Sequence, residues 1–153
     1  MREELKAKLL AKYPVLLRNT AAEGDRKVHL EVGDGWYNIL DILFGTLESR
    51  KYNNEHLPIP QVIIVSISAH RSRLRIGYEL DIGNISPAYL IADGGKAYSK
   101  EIGFIEGAIQ LAEGLSTHTC EACGNPGRKR TGKWLTTLCD RHFEEFANKT
   151  SIG

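Results

Sequence analysis

The chain has 153 residues, 42% of them hydrophobic and 25% charged, and a formal net charge of +1 at pH 7. That length suits one domain with a small appendage, and the near-neutral charge gives no overall field for gathering a polyanion. The sequence holds no apolar run of the roughly eighteen residues that a membrane helix needs, and its first residues, MREELKAKLLAKYPVLLRN, match neither a signal peptide nor a transit peptide.

In chain order, residues 2–18 read as a helix, because Leu5, Leu9, Tyr13 and Leu16 recur at helical steps, with Pro14 set to kink or end it. Lys27–Val32 alternates apolar and polar residues as a short strand. Asp34 is placed to cap a second helix whose inner face is Trp36, Ile39, Leu40, Leu43 and Leu47. Residues 51–60 read as a loop. Two strands follow, Gln61–Ala69 and Arg73–Ile82, with the hairpin turn around His70–Ser72. Ala88–Ala92 reads as a third neighbouring strand. A helix from about Ser99 to Leu115 carries Gly103, Gly107 and Gly114; close packing of this helix on the sheet is the expected reason for them, and a groove where a partner approaches the backbone is the alternative.

The C-terminal pattern is the most specific one. Cys120-Glu-Ala-Cys123 and Cys139-Asp-Arg-His142 are two pairs, each with a two-residue gap, and that spacing lets four soft or borderline ligands reach one tetrahedral zinc ion. Gly124 permits the tight turn after the first pair. Residues 127–138 suit a hairpin turning near Thr131-Gly132, with Trp134 and Leu138 for a small core. Cys139 and His142 then open a last helix. Knuckle, hairpin and ligand-bearing helix follow in the order of a treble clef. His118 is the alternative fourth ligand, although only Thr119 separates it from Cys120. Four protein ligands close the site, so the expected Zn2+ is structural. Three cysteines cannot all pair as disulfides, and with no signal peptide a reducing cytoplasm is the expected setting.

The expected fold is therefore α+β: a small antiparallel sheet packed by helices over residues 1–117, with a zinc module over 118–153 packed on it. The tail CEACGNPGRKRTGKWLTTLCDRH resembles the C-terminus of a set of small proteins encoded by bacteria, prophages and bacteriophages. Those carry a similar Cys-x-x-Cys-Gly-x-Pro-Gly, Trp-Leu, Thr-Leu-Cys-Asp-x-His pattern. Gly33–Trp36, Leu74-Arg75 and Gly103–Gly107 extend the likeness upstream in the same order. The hairpin departs from it, with His70-Arg71-Ser72-Arg73 in place of a Lys-Phe-Gly-like turn. The resemblance implies a phage or mobile-element accessory protein and brings no activity with it.

Function is then weighed by elimination. The sequence has no Gly-rich phosphate loop and no Gly-x-Ser-x-Gly. A treble-clef nuclease needs a histidine on the hairpin, and none lies between Cys123 and Cys139. His29, His56 and His70 are isolated in sequence. Arg71, Arg73 and Arg75 alternate along one side of a strand, and Arg128, Lys129, Arg130 and Lys133 cluster on the zinc hairpin. These seven bases are the candidate partner-binding residues, but Glu79 and Asp81 continue the same sheet face. The expected partner is a host or phage protein, for instance a defence or regulatory factor that the chain blocks. Nucleic acid and a small anionic, nucleotide-like ligand are the alternatives.

Overall fold

A computed structural model of the chain describes residues 1–18, 30–53, 60–83, 85–131 and 135–150. The fold is α+β, built from a three-stranded sheet, a two-stranded sheet and the helices packed on them. Helix α1 spans Glu3–Lys12 and buries Leu9. It stops at Lys12, short of residue 18, because Pro14 has no amide to continue the ladder. Tyr13, Leu16 and Leu17 remain buried beyond it, and the Leu16 carbonyl accepts the Ile64 amide at 2.8 Å.

Of the expected strand at 27–32, the described part is β1, Leu30–Glu31; residues 27–29 lie outside the described residues. A 3-10 turn, Asp34–Trp36, leads into α2, Tyr37–Asn53, which occupies the first part of the expected loop. Asp34 is not the cap: Gly33 takes that position, and Asp34 is the first residue of the turn. Its carboxylate instead accepts the Arg2 amide at 2.7 Å and pairs with the Arg2 guanidinium. Those bonds, the Arg2 amide foremost, hold its carboxyl below the usual range. The inner face of α2 is as read: Trp36, Ile39, Leu40, Leu43 and Leu47 are buried, and Phe44 joins them.

Strands β2, Gln61–His70, and β3, Arg73–Asp81, form the expected antiparallel hairpin, and β1 adds to β2 in parallel, giving the order β1-β2-β3. Val62, Ile63 and Ile64 are all buried, in keeping with an apolar half-strand covered on both sides. The register slips between Ile64 and Ser66, and Gly77 sits opposite; a Cβ there would lie 2.4 Å from the Ser66 hydroxyl. The core lies between this sheet and the helices, centred on Leu9, Trp36, Leu40, Phe44, Ile64 and Leu74.

Residues 88–92 are not a strand. Helix α3 runs over Pro87–Ile91 and a 3-10 turn over Ala92–Gly95. Pro87 fixes φ at a helical value in the first position, where its missing N–H costs nothing. Helix α4, Lys96–Ser116, then returns along β3. Its buried residues include Ile105, Ile109 and Ala112, and also Glu113 and Ser116. The Leu74 amide donates to the Ser116 hydroxyl at 2.9 Å and the Ile76 amide to the Glu113 carboxylate at 3.1 Å. Outward amides of β3 are thus satisfied by helix side chains, which blunts that edge against strand addition. Close packing does not explain the α4 glycines: a Cβ at Gly103, Gly107 or Gly114 would meet nothing within 4 Å.

Candidate metal centre

The ligand-bearing segment folds in the expected order. A knuckle at 120–124 is followed by strands β4, Arg128–Arg130, and β5, Thr136–Leu138, paired antiparallel, and by helix α5, Asp140–Thr150. Residues 132–134, which hold Lys133, Trp134 and part of the expected turn, lie outside the described residues, as do His29 and His56. The knuckle is shaped by backbone bonds: Cys120 N–H to Asn125 C=O at 2.7 Å, Gly124 N–H to Cys120 C=O at 2.8 Å, and Gly127 N–H to His118 C=O at 2.8 Å. Gly124 takes φ 78°, the left-handed region where a side chain is strained. Cys139 stands just before α5 and His142 on its first turn, so both point back at the knuckle.

The result is one cluster. The ligand atoms of Cys120, Cys123, Cys139 and His142 all lie within 4.8 Å of one another, and these four side chains can hold a metal ion. Cys123 and Cys139 sulfurs are 3.9 Å apart, and His142 Nδ1 is 3.2 Å from the Cys139 sulfur and 3.6 Å from that of Cys120. All three cysteines are free, with no disulfide. His142 offers Nδ1 to the cluster, and its Nε2 faces outward, 3.4 Å from an Arg141 guanidinium nitrogen and 3.9 Å from a Glu145 oxygen. Burial pushes the Cys120 thiol up, but the amides of Cys139, Cys123 and Ala122 outweigh it and bring the thiol below its ordinary value. At Cys123 burial prevails, aided by the neighbouring sulfurs, and raises the thiol. His118 contributes no atom to the cluster; its Nδ1 sits 2.9 Å from the Thr117 hydroxyl.

The knuckle is seated on the segment that precedes α2. Gly35 N–H donates to the Glu121 carbonyl at 2.8 Å, Gly33 N–H to the Glu121 carboxylate at 3.2 Å, and the Trp36 indole to the Thr119 carbonyl at 2.9 Å. A Cβ on Gly35 would fall 2.1 Å from the Cys120 carbonyl oxygen, and one on Gly33 2.2 Å from that of Glu121. Gly33-Asp34-Gly35-Trp36 is therefore a landing site as well as a helix start. Sequence reading missed this role, although two glycines flanking one residue ahead of a tryptophan are themselves a sign of close backbone approach.

The candidate partner-binding bases are largely engaged with acids. Arg75 and Arg73 pair with Glu113 at 3.0 and 3.3 Å. Arg71 lies in the hairpin turn with φ 50°, outside the β3 alternation, so the three arginines do not form one free row. Arg128 pairs with Asp140 at 2.9 Å, and Arg130 pairs with the same carboxylate while stacking 4.7 Å over the Phe143 ring. The Arg130 and Arg128 side chains hold the Asp140 carboxyl below its usual range. Arg71 and Lys129 are exposed on the surface.

A second feature lies beside the knuckle. A cleft of about 260 Å³ opens between α2 and α4, lined by Ile39, Leu43, Ala108 and Ala112, with Gly35 and Gly124 at the knuckle end. Ile42, Leu111 and Leu115 line it too, yet are 69%, 64% and 50% exposed. Among the described residues no charged side chain lines it. No helix among the described residues is long and apolar enough to cross a membrane. Compared with protein-family models, curated proteins and solved structures, the chain matches none.

Proposed function

We propose that the chain is a non-enzymatic protein, stapled by one structural Zn2+, that acts by binding a partner protein. Zinc is favoured by the donor set and by the spacing. Tetrahedral bonds of about 2.3 Å to sulfur and 2.0 Å to nitrogen require edges of roughly 3.8 Å between sulfurs and 3.5 Å between sulfur and nitrogen. Three of the six separations in the cluster, 3.9, 3.6 and 3.2 Å, fall close to those edges, and all lie within 4.8 Å. With four side-chain ligands no position is left for a substrate water, so the ion's contribution is stability.

The observation that carries the binding reading is the uncharged cleft with Ile42, Leu111 and Leu115 exposed at its mouth. Grouped apolar side chains of this kind suit a protein partner's apolar residue better than a phosphate backbone. Nucleic acid is the weaker reading because Arg73, Arg75, Arg128 and Arg130 already face Glu113 or Asp140. A small anion finds no cation in the cleft. The resemblance to phage and prophage proteins adds the biological version of the proposal: a cytoplasmic accessory factor that occupies the surface of a host defence or regulatory protein.

Native mass spectrometry should find one zinc per chain. Tagged protein should capture a nuclease-resistant partner from a bacterial lysate, and Leu111→Ser with Leu115→Ser should abolish that capture while the fold persists. Capture that disappears on nuclease treatment, or that ignores both leucines, would move the function elsewhere.

A further inference from the structure

The β2–β3 hairpin turns in two residues, Arg71 and Ser72, and both adopt positive φ, 50° and 66°. A two-residue loop needs this mirror-image turn, which Asn-Gly or Gly-Gly fills without strain. Arginine and serine fill it at a cost, since a side chain in the left-handed region crowds its own carbonyl. Something must hold the tip in place. The Ser72 carbonyl accepts the Thr137 hydroxyl at 2.7 Å, with Ser72 and Thr137 4% and 0% exposed. Thr137 belongs to β5, two residues before Cys139, and its own carbonyl accepts the Glu121 amide at 2.8 Å, next to Cys120. The strained tip is thus tied by one residue to both halves of the metal cluster. Among the described residues the Ser72 hydroxyl has no partner, and the backbone carbonyl makes this tie.

We propose that metal loading sets the conformation of the β2–β3 hairpin tip through Thr137, so that the exposed Arg71 is presented in its left-handed turn only when the metal site is filled. This rests on the reading that the four side chains hold zinc. Without the ion, Thr137 leaves Ser72, the last pair His70–Arg73 opens, and the two turn residues relax. Coupling is reciprocal: what the ion does to the tip, the tip does to metal affinity. Strain released in the metal-free chain must be restored on binding, so a turn that needs no restoring binds metal more tightly.

The test measures Zn2+ affinity by competition with a chelating dye. Arg71→Asn with Ser72→Gly should bind zinc roughly threefold to tenfold more tightly than the parent. Thr137→Val should bind several-fold more weakly, and in that background the turn substitutions should change nothing. Thr137→Ser, which keeps the hydroxyl, should behave like the parent and guards against a Val variant that folds poorly. Amide exchange at residues 70–73 should quicken at least tenfold on chelation in the parent and much less in the Asn-Gly variant. Turn substitutions that leave zinc affinity unchanged, or raise it equally in the Thr137→Val background, overturn the coupling. A chain that takes up no zinc overturns the metal assignment instead.

Discussion

The two hairpins have the same topology and are held together by different forces. β2 and β3 run for ten and nine residues and bury Val62, Ile64, Ile67, Leu74 and Ile76 against three helices. Each such side chain contributes roughly 1.5–3 kcal/mol on burial, so that sheet is stable by apolar area alone. β4 and β5 have three residues each, and only Thr137 and Leu138 of them are buried. Around them Leu135 and Phe146 remain 40% and 38% exposed. Ion pairs such as Arg128–Asp140, open to solvent, contribute little. On the proposed reading the smaller hairpin depends on a bound metal and on its seat at Gly33–Trp36.

Metal removal should show the difference most strongly. Zinc supplies on the order of 10–16 kcal/mol of apparent binding in small modules, more than the segment after residue 118 can replace. Chelation, or Cys139→Ser, is expected to melt β4, β5 and α5 in amide exchange while β2 and the inner face of α2 stay protected. Loss of all protection together would mean that the seat makes the two parts one cooperative unit. Gly35→Ala probes that seat directly. Its Cβ would meet the Cys120 carbonyl oxygen at 2.1 Å and the Gly124 nitrogen at 2.4 Å, both backbone atoms that cannot rotate away. A cost of about 3 kcal/mol or more is expected, with quenching or shift of the buried Trp36 fluorescence as the local signal. A neutral Gly35→Ala would show that the knuckle does not rest there.

The comparison also explains what could be read from sequence. The clustering of Cys120, Cys123, Cys139 and His142 was legible because a metal site demands fixed residue types at fixed spacing, and the four side chains do come together. β3 was legible from the alternation of Leu74, Ile76, Tyr78 and Leu80 with polar residues, and β2 from the apolar run of its first half. Local propensity misled at Ala88–Ala92, where Pro87 starts a helix and no strand lies beside it. Long-range partners were not legible. Nothing local says that Glu113 will meet Arg73 and Arg75, that Asp140 will hold Arg128 and Arg130, or that the Thr137 hydroxyl will reach Ser72. Spacing along one chain segment does not encode which side chains of two different elements will meet.

The Glu113 pair carries the next expected effect. Its carboxylate is 9% exposed and also accepts the Ile76 amide, while the Arg73 and Arg75 side chains are 37% and 53% exposed. Changing both arginines to alanine leaves a buried charge facing one amide. After discounting for solvent around the guanidiniums, about 1–2 kcal/mol of stability should be lost. Adding Glu113→Gln should recover much of that loss, because the amide oxygen still accepts from Ile76 without a charge to desolvate. If urea denaturation shows the double alanine variant to be as stable as the parent, these arginines are not engaged in folding and return to the list of partner contacts.

The smallest expected effect has the opposite sign. Gly107 sits in the middle of α4, exposed, with open space where a Cβ would stand. Glycine there leaves the unfolded chain more freedom than alanine would, without any gain in packing. Gly107→Ala should therefore stabilise the protein by about 0.5–1 kcal/mol, read as a rise in urea midpoint at unchanged slope. Gly103→Ala should add a similar increment, since neither Cβ meets a neighbour. Both changes lie on the side of the molecule held by apolar area, so neither should alter zinc affinity. A loss of stability would mean that another surface covers α4 in the folded protein. A gain in stability accompanied by loss of partner capture would show that the bare backbone of α4 is kept for contact, extending the binding surface from Leu111 and Leu115 along the helix.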